Sequence, residues 1–247
     1  MHQPPFDLAL STLGVSPECP PRQVIEWAAG AGFRAIMLDS ARVGVRPRDL
    51  DRSARRGLAS LLRRLELRLA GAELWIPSEH YASPTNSERA VAAALSSIDM
   101  LAELAALIEA DRTLTLTLPA DGADEAISVI AQAAHRAEIR IANAAWPWRQ
   151  PSDDAPIGVA LDPRAITRSG EDPIAIASSC QQPPDAARWA FTSRRPEEVI
   201  DPLGYASALS TAGFRGDVAL DLRDAIDPES DAMSALTRWR QTDPFPS

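Results

Sequence analysis

Ala212-Gly213-Phe214-Arg215-Gly216-Asp217-Val218-Ala219-Leu220-Asp221 is a glycine turn followed by a short apolar run with a carboxylate at its end. The same plan stands early in the chain, where Ala31-Gly32-Phe33-Arg34 leads through Ile36-Met37-Leu38 to Asp39. Between them, Val159-Ala160-Leu161-Asp162 repeats Val218 to Asp221 letter for letter. A continuous apolar run of this length suits a strand buried on both faces, as in a parallel sheet. The terminal carboxylate belongs where the strand leaves the core, because burying an unpaired charge is costly. Three such strand ends brought together make an acidic pocket.

Working outward, the chain alternates strand and helix patterns. Phe6 to Leu13 has strand character, and Pro20-Pro21 opens a helix that Gly30 and Gly32 close before the strand to Asp39. An arginine-bearing loop from Ala41 to Pro47 leads into a helix from about Arg48 to Leu67. The third strand is Leu69 to Ile76, stopped by Pro77, and a long loop then holds Glu79, His80 and Tyr81. Thr85 and Glu88 form a capping-box pattern for a helix running to about Glu109. Thr113–Leu118 is a fourth strand, Asp124–Ala137 a helix and Ile139–Ala144 a fifth strand, followed by Trp146, Trp148 and a polar loop. The sixth strand is Ile157–Leu161, and Asp162-Pro163 and Asp172-Pro173 each start a short helix. Arg188–Thr192 is the seventh strand and Asp217–Leu222 the eighth, with helices around Leu203–Thr211 and from Pro228 to about Gln241. No linker divides these units. Residues 1–247 are therefore expected to form a single domain, an α/β (β/α)8 TIM barrel with eight parallel strands, whose site lies at the C-terminal ends of the strands.

Composition narrows the chemistry. The 247 residues carry a net charge of −9, which argues against a nucleic-acid backbone or an anionic membrane as partner. All 25 basic side chains other than histidine are arginine, so Schiff-base chemistry, a lysine base and a P-loop lysine are excluded. Only His2, His80 and His135 are present, too few for a histidine-rich multinuclear metal centre. Cys19 and Cys180 lack metal-type spacing, and the start Met1-His2-Gln3-Pro4-Pro5 is not signal-like, so a reduced, cytoplasmic protein without a disulfide is expected. No apolar run approaches the ~20 residues that span a bilayer.

Taken together, Tyr205 to Asp221, Gly32-Phe33-Arg34 to Asp39, and Gly158 to Asp162-Pro163 resemble the last, second and sixth strand regions of the xylose-isomerase-like barrel superfamily. That superfamily holds sugar (phosphate) isomerases and epimerases and the related apurinic endonucleases. The resemblance implies a carboxylate pair on opposed strands acting as base and acid, with a divalent metal polarising the substrate oxygens. It also implies a Glu ending strand five, a His after Asp162-Pro163 and a His in strand seven. Here those places hold Asn143-Ala144-Ala145, Arg164-Ala165 and Trp189 to Ser193. Of the implied ligand set Asp162 and Asp221 remain, so the metal site is degenerate and no cofactor is assigned; a divalent metal held by Asp39, Asp162, Asp221 and His80 is the disfavoured alternative.

The reading is an isomerase or epimerase acting on, or binding, a small carbohydrate at the barrel mouth. Its alternative is a catalytically inactive barrel that binds a small polar ligand or a protein partner. The endonuclease reading is disfavoured by net charge and histidine count. His80, with the natural acid–base side chain for neutral pH, and Asp162 and Asp221 are the candidate catalytic residues. Asp39, Arg46, Trp75, Glu79, Asn143, Trp146 and Arg223 are the candidate substrate-binding residues: carboxylates and arginines for hydroxyls and anions, tryptophans for sugar faces. Against this stands a purely structural role, in which the three aspartates pair with Arg223 and with Arg42 or Arg46, and the tryptophans pack.

Overall fold

A computed structural model describes residues 6–16, 18–148, 157–193 and 199–241. His2, and the polar loop that follows Trp148, lie outside the described residues. Eight parallel strands close into a barrel in chain order: β1 Leu8–Ser11, β2 Ala35–Asp39, β3 Arg68–Leu74, β4 Thr113–Leu116, β5 Arg140–Asn143, β6 Ile157–Leu161, β7 Ala186–Ala190 and β8 Val218–Asp221. β1 pairs with β8 through Leu8–Val218, Ala9–Ala219 and Leu10–Leu220, which seals the seam. The expected (β/α)8 barrel is the observed one.

Helices cover the outside: α1 Pro21–Ala31, α2 Arg52–Arg64, α3 Glu79–Ala82, α4 Ser87–Ala105, α5 Asp124–Arg136, α6 Pro163–Arg168, α7 Pro173–Ser179, α8 Pro202–Thr211 and α9 Pro228–Arg240. Proline in the first turn and an aspartate cap recur at α6, α7, α8 and α9, where Asp162, Asp172, Asp201 and Asp227 each accept a backbone N–H. Four local expectations change, one of them the seventh strand, which runs Ala186–Ala190 rather than from Arg188 to Thr192. The helix expected from Arg48 splits into a 3-10 turn at Pro47–Asp49 and α2, because Asp51 caps a new start by accepting from Ala54 N–H. Thr85 does not cap α4; the helix begins at Ser87, and its cap residue Asn86 makes no side-chain cap bond. The loop holding His80 contains the single-turn helix α3.

The alternation of each strand sends large apolar side chains outward to the helices and small ones inward. Leu10, Ile36, Leu38, Leu69, Leu114, Leu116, Ile141, Leu161 and Leu220 belong to the large core shared with the helices. Ala9, Ala35, Met37, Ala70 and Ala219 form one cluster inside the barrel, and Ala142, Ala144, Ala160 and Ala186 another. A barrel interior must be filled by side chains. With alanine on so many strands, the space goes to a few long side chains, and these build the site.

β3 supplies two of them through a bulge. Ile36 pairs with Leu69 and Leu38 with Ala72, so Ala70 and Gly71 together face Met37. Gly71 takes φ 112°, and a Cβ there would lie 2.6 Å from the carbonyl oxygen of Thr113. The extra residue flips the phase of everything after it. Leu69, Ala72 and Leu74 face the helices, while Ala70 before the bulge and Glu73 and Trp75 after it turn inward.

Candidate functional site

Asp39 and Asp221 are the last residues of β2 and β8, and Asp162 follows β6 as the cap of α6. All three are buried, and they converge on the same mouth. Arg223, two residues past β8, holds two of them. Its Nη2 lies 2.7 Å from Asp221 Oδ2 and 3.2 Å from Asp162 Oδ2, and its Nε donates to both Asp221 oxygens at 3.0 Å. Arg164, the residue after Asp162-Pro163, brings its Nε to 3.2 Å from Asp221 Oδ2 and its Nη1 to 2.9 Å from Asp224.

Arg164 was not among the candidate site residues, and neither were two further members, Glu73 and Arg188. Glu73 is fully buried inside the barrel, where one carboxylate oxygen accepts from Ser11 Oγ and the other from Arg188 Nη1. Arg188, in the middle of β7, is also buried, and its Nη2 lies 3.6 Å from Asp221 Oδ1. Its guanidinium therefore sits between the carboxylates of β3 and β8. The result is not the expected acidic pocket. Glu73, Asp162 and Asp221 are matched by Arg164, Arg188 and Arg223. Three guanidiniums hold the Asp221 carboxyl well below the usual carboxylate range against the opposing effect of burial.

Asp39 stands apart. It is the register neighbour of Glu73, and no cation of the described residues lies within ion-pair distance of its carboxyl. One oxygen accepts from Ala41 N–H at 2.8 Å. Burial, with the Glu73 charge adding to it, raises its pKa to about 6, although the Ala41 bond and the more distant Arg42 and Arg188 pull the other way. Pairing of Asp39 with Arg42 or Arg46 is not what the structure contains. Arg42 donates to the carbonyls of Thr12, Val15, Ser16 and Cys19, and Arg46 donates to the Ala41 carbonyl.

Trp75 lies across the mouth against the alanines of β5, β6 and β7. The guanidinium carbons of Arg188 and Arg223 are 4.7 and 4.6 Å from its ring centroid, so the indole shares both cations with the carboxylates. Its Nε1, and Nε and Nη2 of Arg188, are buried without a hydrogen-bond partner.

The other predicted residues spread outward from this centre. His80, on α3, lines a cleft of about 660 Å³ together with Arg46 and one side of Trp75. Glu79 is exposed on the same turn and is not among the residues lining that cleft. The Asn143 amide is engaged with backbone, accepting from Leu118 and Ala145 N–H and donating to the Leu118 carbonyl, which clamps the ends of β4 and β5. Trp146 stands at the rim, edge-on to Trp148 at 4.5 Å, with its Nε1 donating to Glu171. The mouth thus brings together Asp39, Trp75, Asp162, Asp221 and Arg223, puts Arg46 and His80 in the adjoining cleft, and leaves Glu79, Asn143 and Trp146 outside the centre.

A divalent metal does not fit this donor set. Each carboxylate of the Glu73, Asp162 and Asp221 group already bonds a guanidinium, and an ion would have to enter among three fixed positive charges. Among the described residues no group of three or more His, Cys, Asp or Glu side chains is arranged to hold one. Among the described residues no helix is long and apolar enough to cross a membrane.

No family model matches the chain, and no curated protein sequence does. Solved structures do. A D-psicose 3-epimerase crystallised in the presence of D-fructose superposes with TM-score 0.72 at 13% identity, over 96% of this chain and 99% of that one. A sugar phosphate isomerase/epimerase from Parabacteroides distasonis gives TM-score 0.68 at 13% identity, over 97% and 95%. A fusion of a xylose isomerase-like TIM barrel with 4-hydroxyphenylpyruvate dioxygenase gives TM-score 0.65 at 16% identity; it covers 94% of this chain, which spans only 42% of the fusion. At these identities the likeness is one of fold: the chain shares the eight-stranded (β/α)8 TIM barrel of these structures.

Proposed function

We propose that this chain binds a small carbohydrate at the C-terminal mouth of its barrel, in the manner of an isomerase or epimerase, with arginine in place of a divalent ion. The observation that carries the reading is Trp75, an aromatic face standing between the arginine–carboxylate cluster and the open cleft. Such a face stacks on a sugar ring, and the polar groups around it meet hydroxyls. The likeness of fold to sugar isomerases and epimerases supports the same substrate class.

Proton transfer at this mouth falls to Asp39 with His80. Removal of a proton beside a carbonyl needs a base whose pKa lies near the working pH. Asp221 is held ionised and weakly basic by its guanidiniums, whereas Asp39, at about 6, is ionised at neutral pH and more basic. Arg188, whose Nε and Nη2 lack a hydrogen-bond partner although Nη2 lies 3.6 Å from Asp221, is the donor that would stabilise charge developing on a substrate oxygen. His80 in the cleft is the second proton carrier. The alternative, binding without turnover, is favoured by the pairing of Glu73, Asp162 and Asp221, which leaves one unpaired carboxylate where a two-carboxylate mechanism needs two.

Titration calorimetry with aldoses, ketoses and their phosphates, in buffer containing EDTA, tests the binding; a panel in which nothing binds ends the reading. Incubation of a bound ketose in heavy water separates turnover from binding. Deuterium entering the carbon beside the carbonyl, and lost in Asp39→Asn, supports catalysis; a bound sugar that stays protiated supports the binding protein.

A further inference from the structure

The cleft beside the mouth has a composition at odds with the rest of the molecule. In a chain of net charge −9, its lining carries Arg46, Arg48, Arg89 and His80 and no carboxylate. It lies between the 3-10 turn after β2 and the start of α4, and it is open because the α4 wall is built of alanine and serine. The guanidiniums are little used. Arg46 spends its Nε on the Ala41 carbonyl, Arg48 reaches Asp49 only at 3.9 Å, and Arg89 has no ion pair among the described residues. Asn86 and Arg89 at the start of α4 line the same space, while Ser87 and Glu88 line a different one and Ser87 N–H bonds the Ser83 carbonyl. An independent feature points the same way. Ser40 lines the cleft, is 3% exposed, and its Oγ has no hydrogen-bond partner. A buried hydroxyl costs free energy unless something bonds it.

We infer that this cleft is a subsite for a phosphoryl group, held by Arg46, Arg48 and Arg89 with the Ser40 hydroxyl. A dianion with several acceptor oxygens matches these donors, and guanidinium forks suit it. Trp75 is common to this cleft and the mouth, so a phosphate here leaves the rest of a short sugar chain beside the indole. That last step rests on the carbohydrate reading above; the subsite itself does not.

The test uses three probes on the full chain at constant ionic strength, with chloride as the balancing anion: inorganic phosphate, D-fructose and D-fructose 6-phosphate. We expect phosphate and the sugar phosphate to bind. Arg89→Gln and Ser40→Ala, neither of which removes an intramolecular side-chain bond, should each weaken both by about tenfold, the loss of one charge-assisted or buried hydrogen bond. Binding of fructose should not change. Phosphate that fails to bind, or that binds both variants as tightly as the parent chain, overturns the subsite. Phosphate bound in the expected variant-sensitive way, with fructose 6-phosphate no tighter than phosphate and fructose unbound, supports the subsite and overturns the carbohydrate reading.

Discussion

At the scale of single residues, Arg188 decides most. It neutralises Glu73 at the centre of the barrel, reaches toward Asp221 and shares the Trp75 ring. Removing one partner of a buried pair costs more than removing both, because the survivor stays charged in a poor solvent. Arg188→Met should therefore destabilise the chain by about 3–5 kcal/mol, and adding Glu73→Leu should recover most of that loss. Urea unfolding of the two variants checks it; a double variant no more stable than the single one would sink the account. Asp39 gives a prediction with a pH sign. Its folded pKa of about 6 lies above the ordinary value of 3.8, so the folded state holds the proton more tightly than the unfolded chain. Stability from this group is greatest below pH 4, falls as pH rises to about 6 and is flat above that. Burial sets the shift and Glu73 adds to it, while the Ala41 N–H bond, Arg42 and Arg188 oppose it. Asp39→Asn keeps an acceptor for Ala41 N–H and carries no charge. It should raise stability by roughly 2–3 kcal/mol at pH 8 and by little at pH 4. An equal effect at both pH values would show that ionisation of Asp39 is not the cause.

At the scale of elements, the bulge in β3 is the device that makes the site. Gly71 holds a backbone conformation that side chains avoid, with a carbonyl where a Cβ would go. Gly71→Ala should cost about 1–3 kcal/mol and move Glu73 and Trp75 relative to Arg188. Thermal unfolding together with near-ultraviolet circular dichroism checks both parts. The same bulge explains what the sequence hid. Strict alternation from Leu69 puts Glu73 on the outer face with Leu69, so nothing marked it as an interior charge. Arg188 was hidden by a boundary: with β7 read as starting there it stands at the edge of the strand, whereas Ala186 and Ala187 precede it. A complementary signal was present, since Glu73 and Arg188 each lie within an otherwise apolar run, and two opposite charges of that kind suit each other. The strand-end aspartates were legible because a carboxylate closing an apolar run is a local pattern. Their partners come from other strands, and only closure of the barrel brings those together. Asn143 shows the converse, a residue placed at a strand end by sequence whose amide the neighbouring backbone already uses.

At the scale of the whole molecule, the two ends of the barrel divide the labour. At the N-terminal end Arg68 bonds Asp217 through both Nη atoms and Asp7 through one, tying β3 to the seam between β1 and β8, while Arg140 reaches Asp111 and Asp185. The other end carries the mouth. Because its cations are covalently part of the chain, stability should not depend on a divalent ion: EDTA should leave Tm unchanged within experimental scatter, and elemental analysis after dialysis against zinc or manganese should find well below one ion per chain. A Tm that falls on chelation would contradict this. Trp75 has a consequence of its own. The indole packs against alanines with two guanidiniums close to its ring and part of it open to the cleft, and its nitrogen makes no bond that anchors it there. Cutting the side chain away in Trp75→Gly should leave a hole shaped for that one bicyclic ring, and free indole dissolved in the buffer should refill it. The truncated protein would then gain melting temperature with added indole while the parent chain, already plugged, gains none.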